Sequence, residues 1–213
     1  NEDKLTYSVV INIDLQGNLK NTWIGRTIMH SNRRYSYEEA QAVIEGGTDT
    51  FENEIRILNT ISQNLRKKRN SLLFDRAEVK FDLDHEFHPI GVTTKESNES
   101  HQLIEELMLM ANKIIGKYLH DNGMGIYRVH DTPNEEKLGE LKIIAEKCGF
   151  SFDIKDIRES LNKLGREISG TPYENLIQTL SIRSMSKAEY SIGNLGHYGL
   201  DFEHYTHFTS PIR

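Results

Sequence analysis

NLGHYGLDFEHYTHFTSPIR, residues 194–213, is the stretch of this 213-residue chain whose composition departs most from an ordinary core segment. It holds three His, two Tyr, two Phe, two Thr, one Ser and Arg213, against two acids, Asp201 and Glu203. A buried strand or helix rarely concentrates so many polar aromatics and hydroxyls. The mixture suits a surface that hydrogen-bonds phosphates and stacks bases. Gly196 and Gly199 are expected at turns or close backbone contacts, and Pro211 at a bend.

Upstream of this stretch the pattern is mostly helical. Residues 134–148, 154–168 and 172–189 read as helices, separated by Gly149 and by Gly170-Thr171-Pro172, with Pro172 in a first turn. The strongest helix spans 98–120. Its apolar stripe is Leu103, Ile104, Leu107, Met108, Ala111, Ile114, Ile115, Tyr118 and Leu119, with Glu105, Glu106 and Lys113 off it. IYRV at 126–129 is a short strand. Nearer the start, 5–13 and 19–29 alternate around the turn at Asp14–Asn18 and form a hairpin. Ser36 and Glu39 make a capping box for a short helix ended by Gly46-Gly47. A longer helix covers 51–69, and 78–83 with 90–94 form a second strand pair. Small antiparallel strand pairs set apart from several packed helices define an α+β fold.

Composition narrows the possibilities. The net charge is −6, with 37% apolar residues, which excludes disordered and collagen-like classes. No apolar run approaches the roughly 18 residues of a membrane span. A net negative chain argues against a purely electrostatic nucleic-acid binder. The single cysteine, Cys148, rules out an internal disulfide and reads as a packed thiol in a helix. With no secretory pattern, a cytoplasmic location is expected.

Local clusters have plain structural readings. Arg66-Lys67-Lys68-Arg69 is expected to be a solvated helix end favoured by the helix dipole, with phosphate contact as the alternative. Asp82 and Asp84 share a strand face and could hold Mg²⁺, but with Phe81 and Leu83 buried they read as the wet face. His197, His204 and His207 lack the Cys pair or H-E-x-x-H spacing of a zinc site. His130 and Asp131 are expected to order a loop, and Arg183 to pair with an internal carboxylate.

Taken together, several motifs resemble the ribonuclease II/ribonuclease R exoribonucleases, in wording closest to the bacterial ribonuclease R branch. They are His204-Tyr205-Thr206-His207-Phe208-Thr209-Ser210-Pro211-Ile212-Arg213, Asn194-x-Gly196-His197-Tyr198-Gly199-Leu200 and Arg183-Ser184-Met185 with Ala188 and Tyr190. Leu103-Ile104-Glu105-Glu106-Leu107-Met108 with Ala111-Asn112, Tyr127-Arg128-Val129-His130-Asp131-x-Pro133 and Ser31-x-x-Arg34-x-x-Tyr37 belong to the same set. The resemblance covers about residues 5–213.

It implies a processive 3′-to-5′ hydrolytic exoribonuclease that acts on single-stranded RNA, releases nucleoside 5′-monophosphates and uses Mg²⁺. Arg213 matches the catalytic arginine, whose guanidinium can fork onto two phosphate oxygens as charge grows. Tyr37 and either Glu105 or Glu106 match residues contacting the 3′-terminal nucleotides; a carboxylate accepting from a ribose 2′-OH would favour RNA over DNA. His197, Tyr205, His207, Thr209 and Ser210 complete the candidate RNA-binding set. In the family, the metal is held mainly by an aspartate cluster upstream of the first hairpin, and no such pattern occurs here. Residues 1–213 are therefore expected to be an incomplete catalytic domain, lacking that motif and the downstream C-terminal part, and inert alone. The alternative is a non-catalytic RNA-binding or scaffold member of the family. A third reading, a metal hydrolase, predicts zinc at His197, His204 and His207.

Overall fold

A computed structural model describes residues 2–72, 78–95 and 97–210. The strands are β1 (Lys4–Ile13), β2 (Leu19–Met29), β3 (Glu78–Leu83), β4 (Pro89–Lys95), β5 (Tyr127–Val129) and β6 (Glu189–Ser191). The helices are α1 (Tyr37–Ile44), α2 (Glu52–Lys68), α3 (Glu99–Asp121), α4 (Glu135–Lys147), α5 (Ile157–Ile168) and α6 (Glu174–Ser184). The strands pair antiparallel as β1–β2, β3–β4 and β5–β6. This is the α+β arrangement that the alternation of patterns implies.

The chain divides into two compact units. The first comprises residues 1–69, 77–115 and 208–213, and the second residues 70–76 and 116–207. In the first unit, Val43, Ile55, Ile61, Leu103, Leu109, Ala111 and Ile115 are buried. The β1–β2 turn is tied to α2 by Asn64, which donates to the Leu15 carbonyl, and by Lys68, which donates to the Gln16 carbonyl. The capping box on α1 forms as expected: Ser36 Oγ accepts from Glu39 N–H, and the Glu39 carboxylate accepts from Ser36 N–H.

The second unit is built on α4, α5 and α6. Their facing side chains, Leu138, Leu141, Ala145, Leu161, Leu164, Ile168 and Ile177, form one core with Phe152. Cys148 packs half-buried against it, in keeping with a structural thiol.

Four expectations need correction. The helix read over 172–189 stops at Ser184, because the Ser184 carbonyl accepts from Asn134 N–H at 2.8 Å instead of continuing the helical ladder. Residues 189–191 then pair with β5. At 154–168, Asp153 and Asp156 cap successive turns, so a short 3-10 turn precedes α5. On the β3–β4 ribbon the faces are reversed: Phe81 is 58% exposed and Leu83 and Val92 are also exposed, whereas Asp82 lies half-buried across from Gly91. The Asp84 carboxylate closes the turn by accepting from Glu86 and His88 N–H. On α3, Glu106 and Asn112 are buried while Ile104 and Tyr118 are exposed. Each of those polar groups has a partner that makes burial tolerable, as described below.

Leu141 is fully buried at the centre of the second unit. Replacing it with Ala should destabilise that unit by about 2–5 kcal/mol through lost transfer energy and a residual cavity. Chemical denaturation followed by circular dichroism checks this, and a shift below 1 kcal/mol would mean that the core collapses around the gap.

Candidate nucleic-acid interface

Helix α3 organises the first unit's candidate site. Residues 101, 105 and 112 are separated by four and seven, so at roughly 100° per residue they share one stripe, about 16 Å long. Asn98 fixes the helix start, its side-chain oxygen accepting from Ser100 Oγ and from His101 N–H. Tyr37, at the start of α1, stacks on His101 with ring centroids 3.9 Å apart and planes 11° from parallel. Gln41, one helical turn further along α1, accepts from Ser100 N–H and fixes α1 against α3. Tyr37 is thus held one helical turn from Glu105. No role for His101 was legible in the sequence, since a lone histidine at a helix start carries no motif.

The two glutamates have different fates. Glu106 is buried, with 3% of its side chain exposed, whereas Glu105 keeps 38% in solvent. Arg66 Nη1 lies 3.3 Å from Glu105, and Arg69 Nη2 lies 3.1 Å from both glutamates. The basic run is therefore not a solvated helix end. Arg66 and Arg69 turn inward into a four-charge cluster, Lys68 binds the first hairpin, and Lys67 is exposed.

Burial pushes the Glu106 carboxyl above its usual range; Arg69 and Arg66 oppose that shift and Glu105 adds to it. Glu106 Oε1 and Arg69 Nε have no hydrogen bond among the described residues, so their pairing is Coulombic rather than directional. Such a cluster contributes little net stability while intact, but losing one partner costs about 3–5 kcal/mol.

The signature stretch is divided between the units. In the first, the fully buried Asn112 side chain grips one residue of it twice. Its Nδ2 donates to the Thr209 carbonyl at 2.9 Å, and its Oδ1 accepts from Thr209 N–H at 2.8 Å. Thr209 and Ser210 are held at α3 by this pair. Arg213, with Pro211 and Ile212, lies outside the described residues.

In the second unit, residues 204–207 run beside β5. Arg128 N–H donates to the Tyr205 carbonyl, and Thr206 Oγ1 donates to the Ile126 carbonyl. Tyr205 is buried, its ring meeting the edges of His197 and His207 at centroid distances of 5.3 and 5.5 Å. His204 stacks on His120, and Gly116 is required there because an added Cβ would lie 3.0 Å from the His204 and Tyr205 backbone. His207 is exposed, and its Nδ1 is bonded to the Tyr190 hydroxyl at 2.8 Å.

His197 caps the 198–200 turn through Nδ1, which accepts from Leu200 N–H. Burial, then the charges of His130, Arg128 and His207, bring its pKa down to about 4, so it is neutral at pH 7. His130 and His207 are lowered too, chiefly by burial. His130 orders the loop as expected: its Nδ1 accepts from Gly199 N–H and its backbone pairs with Gly196 and Tyr198. Gly196 has a φ of +76° and sits 3.0 Å from the Phe202 carbonyl by the same Cβ measure, which explains its glycine. Arg183 is exposed, with no ion pair among the described residues.

Among the described residues, no three His, Cys, Asp or Glu side chains are grouped to hold a metal ion. His197, His204 and His207 bond instead to Leu200 N–H, Asn194 and the Tyr190 hydroxyl respectively. The Asp84 carboxylate is committed to its turn. These residues therefore do not fit either the zinc or the Mg²⁺ reading, and no helix among those described is long and apolar enough to cross a membrane.

An α+β fold in which one helix carries a histidine stacked on Tyr37, a half-open glutamate and a gripped signature loop has counterparts among known proteins. Residues 1–213 match the RNB domain throughout, and the chain belongs to that family. It is 37% identical over 227 residues to Ribonuclease R of Aquifex aeolicus and 32% identical over 220 residues to Ribonuclease R of Chlamydia pneumoniae. Each alignment covers all of this chain and 32% of the relative. Among solved structures, Mycoplasma genitalium RNase R in complex with ribose methylated single-stranded RNA superposes with a TM-score of 0.88 at 26% identity. That match covers all of this chain and 35% of the other. The chain thus spans about a third of the length of these relatives.

Two outcomes test this geometry. Folding holds His197 below its ordinary value of 6.5, so between 6.5 and about 4 the unfolded chain takes up a proton that the folded chain refuses. Stability from this group is therefore full above 6.5 and falls as pH drops through that window. Allowing for partial exposure, the loss should be about 1–2 kcal/mol near pH 5, and His197→Asn, which keeps an acceptor for Leu200 N–H, should flatten it. Thermal melts across the pH range decide, and equal pH dependence in both proteins would remove His197 as the cause. Separately, Asn112→Ala should lower stability by about 1–3 kcal/mol and speed exchange at the Thr209 amide. Unchanged exchange would show that the loop does not need the grip.

Proposed function

We propose that the protein is a hydrolytic exoribonuclease that degrades single-stranded RNA processively from its 3′ end and releases nucleoside 5′-monophosphates, and that residues 1–213 are part of its catalytic domain. The observation that carries this reading is the α3 stripe, which aligns Tyr37, Glu105 and the Thr209–Ser210 loop along one side of a single helix. Its support is the match of the whole chain to ribonuclease R sequences and the likeness to an RNase R bound to single-stranded RNA.

In this reading Tyr37, backed by His101, offers its remaining ring face to a terminal base. Glu105 is the glutamate that meets RNA, because Glu106 is enclosed and spent on Arg69. The Glu105 carboxylate, flanked by the Arg66 and Arg69 guanidiniums, accepts from a ribose 2′-OH, which DNA lacks. The Asn112 grip holds Thr209, and Arg213, four residues on in sequence, is the residue whose guanidinium forks onto the scissile phosphate. In the second unit, Tyr205 and His197 serve as the packed support of His207, which contacts RNA. The hydrolysis uses Mg²⁺, and the enzyme works in the cytoplasm.

The test is an assay of the intact protein on 5′-labelled single-stranded RNA with Mg²⁺. Stepwise shortening with mononucleotide release, and sparing of DNA of the same sequence, are expected; residues 1–213 alone should release none. Arg213→Lys keeps the charge and loses the fork. It should cut the rate about 100-fold or more while RNA affinity changes little. Equal losses of both would make Arg213 an anchor. Binding without any mononucleotide release by the intact protein would replace the enzyme with a non-catalytic RNA binder.

A further inference from the structure

The β5–β6 ribbon of the second unit carries a cation without an anionic partner. Tyr127 and Val129 are only 5% and 2% exposed, so strand alternation sends Arg128, between them, to the opposite face. Arg128 and Tyr190 are cross-strand partners, and the guanidinium carbon sits 4.7 Å from the Tyr190 ring centroid. The Tyr190 ring is 60% exposed, and its hydroxyl bonds His207 Nδ1 at 2.8 Å. The ribbon thus presents arginine, phenol and imidazole as one ordered set.

Most other described arginines are committed to carboxylates, the exceptions being Arg26, which lies on the Tyr7 ring, and the exposed Arg34 and Arg183. Arg33 pairs with Asp49, Arg66 and Arg69 with the two glutamates, Arg158 with Asp201, and Arg166 with Glu159. Among the described residues, the Arg128 side chain has neither a carboxylate nor a carbonyl acceptor; its one contact is the tyrosine ring. A cation–π contact of this kind spends none of the guanidinium N–H donors on an acceptor. Arg128 therefore keeps its fork unspent while the ring beneath fixes its orientation. Its charge is also felt nearby, since it contributes to the lowered basicity of His130, His197 and His207.

We propose that Arg128, oriented by Tyr190, binds a backbone phosphate of the RNA strand, with Tyr190 and His207 contacting the adjoining nucleotide. Phosphate is the anion that matches a planar fork flanked by an exposed aromatic ring and a hydrogen-bonded imidazole. A free nucleotide carries the same group, but a single unpaired cation beside an open aromatic face suits a strand that is stacked and passed on, rather than a mononucleotide enclosed in a pocket. The assignment rests on the RNA-binding reading above and adds a residue to it.

The experiment measures affinity of the intact protein for a fluorescent single-stranded oligoribonucleotide over a range of salt, without divalent metal so that the strand stays whole. Arg128→Gln should weaken binding about five- to tenfold at low salt and reduce the slope of log affinity against log salt by about 0.7, one phosphate contact of a single strand. Arg128→Lys should restore the slope but not all the affinity, because the charge returns without the fork. Circular dichroism melts of both variants establish that each is folded. A folded Arg128→Gln protein with the wild-type slope and affinity overturns the assignment. An effect confined to a nucleoside 5′-monophosphate, with the strand bound normally, overturns it in favour of a free-nucleotide site. If the wild-type protein binds no RNA at all, the RNA-binding reading itself fails.

Discussion

The first unit depends on a carboxamide that cannot be left alone. Asn112 is wholly enclosed, and a buried amide without partners would cost more than its hydrogen bonds contribute when made. Its oxygen and nitrogen are answered by the N–H and carbonyl of the same residue, Thr209. A single backbone contact of this kind fixes both position and direction, as a short strand pairing does, and it joins residues 97 apart in sequence. Position 112 also sets the helical phase of everything four, seven and eleven residues before it. Glu105 and His101 inherit that phase, and Tyr37 inherits its own place from His101. The signature loop and the nucleotide-facing candidates are thereby tied to one rigid element, where small positional errors are harder to make than on loops.

The ionic cluster at Arg66, Arg69, Glu105 and Glu106 supplies the second requirement, a usable carboxylate. One glutamate alone on that face would repel a polyanion. With two guanidiniums within 4 Å the field is cancelled, while the lone pairs of Glu105 that face solvent remain open to a hydroxyl. Glu106 is best understood as the counter-charge that permits two arginines to turn inward together. Replacing the cluster with apolar side chains would pack as well, but it would leave no acceptor. The arrangement therefore fits positioning better than stability.

Much of this is legible in the sequence alone. Alternation and turn chemistry placed both long hairpins, periodicity placed α1 to α5 within a few residues, and the motifs placed the family. What escaped reading was decided at long range. The end of α6 depends on a carbonyl taken by Asn134, and β6 is too short at three residues to carry a pattern. Glu106 looked solvent-facing because periodicity assigns charge to the outside, yet its arginine partners lie on another helix. The same limit hid the role of His101, which exists only because α1 delivers Tyr37 to it. On the β3–β4 ribbon, alternation correctly separated two faces but could not say which is covered, since Phe81 and Asp82 are judged against packing that the strand itself does not contain. Arg213 lies outside the described residues, so its place rests on the motif.

The net charge of −6 argued at first against nucleic acid, and the arrangement of charges shows why that inference was too coarse. Acidic excess is a property of the whole chain, whereas a strand meets particular groups. Six of the ten described arginines pair with carboxylates inside their own unit, so counting all of them overstates the positive surface. What matters is the cation left over once internal pairs are removed, and Arg128 is such a cation, held by a ring that demands no charge in return. An enzyme that, as proposed, binds a strand and then moves along it would have reason to keep such cations few. Each phosphate contact deepens binding and adds to the cost of the next step, while aromatic contacts can be broken and remade one base at a time. A net acidic chain with isolated cations and exposed aromatic rings is therefore compatible with RNA, and better matched to a passing strand than a broad basic patch would be.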